Sequence, residues 1–95
     1  MDAVGIRKEI AISKAALEPY RLYGQAVVDG INAFTRLDEV IANPSDESVA
    51  EGIKIAMDLN KRIAPYRLFV PQVAKTVDEV LKWLQDIRRL GRQTG

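Results

Sequence analysis

Four prolines, at positions 19, 44, 65 and 71, divide this sequence into blocks whose apolar residues recur every three or four positions. That spacing places the apolar side chains along one face of an α-helix. No block shows the sustained alternation of apolar and polar residues that is typical of a strand. Because proline interrupts helices and is favoured only at their first turn, the sequence predicts an all-α protein with four helices.

The boundaries of the helices are predicted from capping residues and prolines. Asn43 is the expected N-cap of the third helix, with Pro44 in its first helical position. Pro65 is expected to end that helix, since the residue before a proline disfavours the helical conformation. Gly91 is expected to follow the end of the fourth helix. The four predicted blocks cover approximately residues 2–17, 20–42, 43–64 and 71–90.

A short segment occurs twice in the chain. Pro19-Tyr20-Arg21-Leu22-Tyr23 recurs 46 positions later as Pro65-Tyr66-Arg67-Leu68-Phe69. The same offset relates apolar residues beyond the segment, so that each half is predicted to be helix, turn, helix. Two such hairpins make a four-helix bundle within one domain. The alternative is a pair of long helices, each bent at a proline, that exchange partners between two chains.

Composition argues against most kinds of catalysis. The chain contains no Cys and no His. It therefore lacks thiolate nucleophiles, the commonest transition-metal ligands and the side chain most used for acid–base work near neutral pH. Its acidic residues are predicted on the polar faces of the helices, where they are solvated. We therefore expect no enzymatic activity, no metal and no cofactor.

The surplus of apolar surface is the main functional indication. The apolar stripes of blocks two and four are wider than the arc of about 100° that a helix needs against one core. Exposed apolar surface marks partner sites, and Trp is enriched at binding hot spots. The leading hypothesis is a non-catalytic interaction module (adaptor, assembly factor or chaperone-like subunit) that forms a homodimer. The predicted partner-binding residues are Trp83, Leu90, Val28 and Val40.

A cluster of arginines near the C-terminus supports an alternative. Arg88, Arg89 and Arg92 could contact the phosphates of a nucleic acid, or they could complement the carbonyl end of a helix. The net charge of the whole chain is only +1, which is lower than is typical of a dedicated nucleic-acid-binding protein. A small nucleic-acid-associated protein is therefore the second hypothesis.

Some polar residues fall at positions predicted to be buried or repeated. Asn60 lies within the apolar stripe of block three, where one buried amide can set the register of helices. Asp38 is expected either to lie at the frayed end of its helix or to form a salt bridge with a Lys or Arg of block one, and a small polar pocket containing Asp38 and Asn60 is an alternative. Arg21 and Arg67 are expected to bond the ends of the preceding helices, or else to form twin sites for a carboxylate or phosphate.

Two further expectations concern location. The first residues lack the apolar run of a signal peptide, and no stretch approaches the length of about 20 apolar residues that spans a bilayer. We therefore expect a cytoplasmic protein that does not contact membranes. A protein exported by a route without a signal peptide would have the same features.

Residues 43–78 resemble in part the needle subunits of type III secretion systems. The resemblance consists of Asn43-Pro44-Ser45-Asp46 between two helices, with Tyr66-Arg67, Lys75 and Asp78 downstream. Pro65 and Pro71 interrupt a stretch that this family keeps helical, and the spacing from Pro to Tyr-Arg differs. The chain is not assigned to the family on these residues, and a structural subunit of a secretion system is a further alternative.

Overall fold

The chain folds into four α-helices that pack as a bundle. The computed structural model describes residues 2–94, and it describes the side chains of residues 2–91. Consecutive helices pack against each other, and α1 also packs against α4, which closes the bundle within one chain. The predicted all-α four-helix bundle is confirmed, whereas the alternative of two long bent helices is not the arrangement adopted. The helices are α1 (Ala3–Leu17), α2 (Gln25–Ala42), α3 (Asp46–Ile63) and α4 (Pro71–Thr94).

Side-chain caps explain where two of the helices begin. The carboxylate of Asp2 accepts a hydrogen bond of 2.8 Å from the backbone N–H of Gly5 at the start of α1. At the start of α3, Ser45 and Ser48 each accept a bond from the other's backbone N–H. Such a cap contributes about 1 kcal/mol to helix stability. The prediction that Asn43 caps α3 is therefore wrong. The helix begins at Asp46, and Ser45, which directly precedes it, is the N-cap.

Two other predicted boundaries differ from the structure. The helix expected to begin near Tyr20 begins at Gln25, because Glu18–Tyr23 forms a 3-10 helix that ends at Gly24. The backbone of Gly24 has φ 158° and ψ 167°, a region that is essentially restricted to glycine. At the other end of the chain, α4 continues through Gly91, which is therefore not its terminating residue.

Equivalent helix ends in the two halves are separated by the offset of the repeated segment. Both α1 and α3 end immediately before a 3-10 helix, at Leu17 and Ile63. Both α2 and α4 begin seven residues after the first residue of that 3-10 helix, at Gln25 and Pro71. Both pairs of positions are 46 residues apart, which is also the spacing of the two Pro-Tyr-Arg-Leu segments.

The core lies along the axis of the bundle and receives residues from all four helices. Phe34, Leu37, Val77, Val80 and Leu84 have no exposed surface. Other core positions are Ile6, Ile10, Val40, Ile41, Val49, Ile53, Ala56, Leu59 and Val73. Within residues 2–94, no helix has both the length and the apolarity needed to cross a membrane.

The interface between α1 and α4 is partly polar. The Ser13 hydroxyl donates a hydrogen bond of 2.8 Å to the Thr76 hydroxyl, and both side chains are buried. The Gln72 amide donates a bond of 2.6 Å to the Glu9 carboxylate at the edge of the same interface. These bonds join the first helix to the last and so fix how the bundle closes.

Candidate interaction surface

Both copies of the repeated segment lie at the same end of the bundle. The short connections make neighbouring helices antiparallel, so α1 and α3 end where α2 and α4 begin. We call this end, formed by residues 18–24 and 64–70, the loop end. One segment joins α1 to α2 and the other joins α3 to α4, and they therefore lie on opposite edges of the loop end.

The loop end exposes six large apolar side chains. Leu22 is 98% exposed and Leu68 is 94% exposed, so neither contributes to the core. The aromatic residues show the same agreement between the two segments: exposure is 55% for Tyr20 and 60% for Tyr66, and 81% for Tyr23 and 82% for Phe69. The exposure of the three corresponding apolar pairs is thus nearly the same on both edges of the loop end.

Exposed large apolar residues elsewhere are scattered. In the part of the chain that the structure describes, four others are about half exposed or more, and they lie on three different helices. They are Val4, Ile12, Met57 and Leu90. Single exposed apolar residues are normal on soluble proteins, whereas a concentration of them indicates an interaction site. The loop end is therefore the main candidate interaction surface.

The local backbone explains why these side chains point outward. Proline stands at the start of each 3-10 helix, where its fixed φ is compatible and its missing N–H costs nothing. The tight turn then carries the next residues over the end of the bundle. The rings of Tyr20 and Tyr23 pack on each other, with centroids 5.8 Å apart, and both remain exposed.

Each arginine of the repeated segments is already bonded to a carboxylate. Arg21 bonds Glu18 at 2.8 Å within the same turn. That hydrogen bond lowers the pKa of Glu18, assisted by the charges of Arg21 and Lys14 and opposed by partial desolvation. Arg21 thus has a carboxylate partner within its own segment, and the predicted anion site there stays a prediction.

Arg67 makes a more extensive set of contacts than Arg21. Its guanidinium donates to the side-chain oxygen of Asn60 at 2.9 Å and to the Asp78 carboxylate at 2.6 Å. It thereby joins the last turns of α3 to the first turns of α4. Asn60, predicted to set helix register from within the core, is instead half-buried and anchors this arginine. The expectation that Arg21 and Arg67 bond helix carbonyls is replaced by these side-chain contacts.

The predicted partner-binding residues do not form one surface. Val40 is 1% exposed and belongs to the core, so its prediction as a partner contact is wrong. Val28 and Trp83 are half-buried, and Trp83 packs against the core. Leu90 is 53% exposed near the opposite end of the bundle. The apparent surplus of apolar surface on block two arose partly because Leu22 and Tyr23 were counted as residues of that helix.

The predicted anion-binding arginines lie near the end of α4. Arg88 and Arg89 are exposed, and Arg89 bonds the Asp86 carboxylate at 3.2 Å. Arg88 lines a shallow groove of about 430 Å³ together with Asp46 at the start of α3. Arg92 lies outside the residues whose side chains the structure describes. Contact with nucleic acid therefore stays a prediction.

Asp38 and Asn60 do not share a pocket. Arg7 donates a hydrogen bond of 2.9 Å to the Asp38 carboxylate, which confirms the expected salt bridge to the first helix. This bond raises the pKa of Arg7, with the charge of Asp38 acting in the same direction and partial desolvation acting against it. Asn60 lies near the loop end and contacts Arg67. Among the described residues, no group of three or more acidic side chains is arranged to hold a metal ion.

The residues of the loop end are not among the predicted partner-binding residues, although the sequence contains a signal for this surface. The repeated segment is predicted as a turn in each half, its Tyr-Arg pairs are predicted to close the helix ends, and only Leu22 and Tyr23 are also placed in a helix, within block two. The signal is an apolar pair directly after a Pro-Tyr-Arg turn, in both copies of the segment.

The chain matches no family model, and comparisons with curated proteins and with solved structures gave no significant match.

Proposed function

We propose that this chain is a non-catalytic helical interaction module, acting as an adaptor, assembly factor or chaperone-like subunit, and that it binds protein through its loop end. The observation that carries the proposal is the exposure of Leu22 and Leu68, which are 98% and 94% exposed in a well-packed bundle. A leucine in water forfeits about 1.5–3 kcal/mol that burial would supply. Burial against a partner would recover that free energy.

The composition of the loop end supports a protein partner. Tyrosine, phenylalanine and arginine are enriched in protein interfaces, whereas lysine is depleted. The two segments, Glu18–Tyr23 and 64–70, contain Tyr, Phe and Arg and no Lys.

We also infer that the two halves of the chain are copies of one helical hairpin. The shared offset of 46 residues in helix ends, in the repeated segment and in side-chain exposure supports this inference. It explains why the same apolar residues occur on both edges of the loop end. A module with two equivalent edges would present the same binding chemistry twice to its partner.

The proposal is tested with a doubly substituted chain, Leu22→Ser with Leu68→Ser. Because both leucines are nearly fully exposed, we expect an unchanged circular dichroism spectrum and thermal midpoint. Proteins retained from a lysate of the source cells on the immobilised wild-type chain should be lost on this variant. The matched control, Leu90→Ser, removes an exposed leucine elsewhere and should retain them. Identical retention by all three proteins would overturn the proposal.

A further inference from the structure

We propose that the occupant of the loop end is a second copy of this chain, bound end to end around a twofold axis perpendicular to the bundle. This inference rests on the proposed function, because it names the partner of the same surface. In such a pair the bundle axes are continuous and the two loop ends face each other. The opposite ends, which carry the termini of α1 and α4, lie far apart.

The exposed apolar area is close to what one side of a stable interface buries. Four aromatic side chains with 55–82% exposure leave on the order of 500 Å² accessible, and Leu22 and Leu68 add to that area. A typical stable complex buries about 800 Å² on each partner. The largest apolar patch on an ordinary monomer is only about 300–600 Å². The loop end therefore has enough apolar surface for one face of a dimer.

The symmetry of the loop end favours a copy of itself. The two edges carry the same residue types with closely matched exposure, in pairs such as Leu22 with Leu68 and Tyr23 with Phe69. A twofold axis brings the same surface of two chains together, and apolar residues on both edges let either edge of one chain face an apolar edge of the other. The contact also closes after two chains, because each chain uses the same surface and none of it is left for a third copy.

Charge near the loop end distinguishes this occupant from an anionic membrane. The arginines there are neutralised within the chain: Arg21 by Glu18, Arg67 by Asp78 and Arg62 by Asp58. In the last turns of α1 and α3, only Lys14 and Lys61 have no ion pair within the described residues. Recognition of anionic lipid typically uses clusters of about four to eight basic residues. A nearly neutral apolar surface instead suits a second copy.

Light scattering on a sizing column and small-angle X-ray scattering of the full chain test the proposal. We expect a mass about twice the chain's 10.6 kDa, and a particle about twice as long as the 45 Å of one bundle. A dimer whose length stays close to 45 Å would be side by side and would overturn the end-to-end arrangement. If the wild-type chain stays monomeric at a protein concentration about 100 times higher than a micromolar dissociation constant, self-association is overturned.

Substitutions locate the contact. Leu22→Asp with Leu68→Asp should raise the dimer dissociation constant by at least about 100-fold, because two unpaired charges would be buried within the interface. The matched controls, Ile12→Asp and Leu90→Asp, place the same charge at half-exposed apolar residues away from the loop end, and both should remain dimeric. Dimers that survive the double loop-end substitution would overturn the proposal.

Two further results separate failure of this inference from failure of the proposed function. If the chain is monomeric but a protein is still captured through Leu22 and Leu68, the second copy is excluded as occupant and the interaction module stands. If the chain is monomeric and sediments with phosphatidylcholine–phosphatidylserine vesicles only when both leucines are present, the occupant is a membrane. That result would overturn both proposals.

Discussion

The Ser13 hydroxyl on α1 donates a hydrogen bond of 2.8 Å to the Thr76 hydroxyl on α4, and neither side chain has exposed surface. Thr76 in turn donates to the backbone carbonyl of Gln72 at 3.0 Å. Within the described residues, Ser13 makes no other side-chain hydrogen bond. The two hydroxyls therefore depend on each other unequally. Without Ser13, Thr76 still donates a hydrogen bond to Gln72, whereas without Thr76 the Ser13 hydroxyl has no hydrogen-bond partner among the described residues.

This difference predicts an asymmetric mutant cycle. Thr76→Val preserves shape but leaves the Ser13 hydroxyl buried without a partner, and it should cost about 1–3 kcal/mol of the free energy of unfolding. Ser13→Ala should cost less, about 1 kcal/mol. The double variant should be more stable than Thr76→Val alone, because no orphaned hydroxyl remains. Urea denaturation measures all four free energies, and strict additivity would contradict the prediction.

Arg67 and Arg21 occupy the same position in the two repeated segments but should differ in their importance for stability. Arg67 joins Asn60 to Asp78 and so links α3 to α4. We expect Arg67→Ala to lower the free energy of unfolding by about 1 kcal/mol, a value reduced by its partial exposure. Urea denaturation measures this change.

The matched control for Arg67 is Arg21→Ala. Arg21 bonds only Glu18 in its own turn, through an exposed pair that links no two helices. We expect no measurable change in its urea midpoint. Equal losses in the two variants would show that the contacts of Arg67 between the helices carry no extra stability.

Gly52 is buried where α3 packs against Val40 of α2 and Leu84 of α4. A Cβ at this position would lie 3.1 Å from Leu84 Cδ1 and 3.2 Å from Val40 Cγ1. Gly52→Val adds two further carbons to this filled space, and the overpacking should cost about 1–3 kcal/mol. The control is Gly91→Ala, because among the described residues no atom apart from its chain neighbours and its own helix backbone lies within 4 Å of the added Cβ, and alanine favours helix by up to about 1 kcal/mol. Thermal denaturation should shift in opposite directions, and a stabilised Gly52→Val would contradict the packing described.

The contact between Arg36 and Glu51 should make stability depend on acid pH. The hydrogen bond from Arg36 lowers the pKa of Glu51 below its usual value of 4.5, helped by the charge of Arg36 and opposed by partial desolvation. Because the pKa is lower in the folded state, the stabilisation is fully present above the usual value. It is lost as the pH falls through the folded-state pKa.

Glu51→Gln tests this dependence. Its deficit in free energy of unfolding relative to the wild-type chain should be largest above pH 4.5 and should shrink as the pH falls below that value. Denaturation at a series of pH values measures the deficit. In an Arg36→Met background the same substitution should lose this pH dependence. A deficit that stays constant across the series would show that the ion pair does not contribute.

Local patterns predicted the helices well because helical periodicity is a property of neighbouring residues. The spacing of Val73, Val77, Val80 and Leu84 identified one buried face of α4, and all four are buried. The exact ends were harder to predict. Asn43 and Ser45 are both good caps, and only the geometry of the first turn selects between them. Leu22 and Tyr23 fit the apolar spacing of the helix that follows them. Over so few residues this spacing does not distinguish a 3-10 turn from the first turn of an α-helix.

The candidate surface depends on contacts that no local pattern contains. Whether Val40 faces partner or core depends on where α2 lies between its neighbours, and the structure buries it. Leu22 and Leu68 both lie at the loop end because α2 runs away from this end and the antiparallel α3 returns to it. The sequence alone determined the helical class, the four helices and the repeated segment, because these follow from local spacing and turn residues. Only the tertiary structure decided which apolar residues stay in water, because burial depends on how distant helices pack.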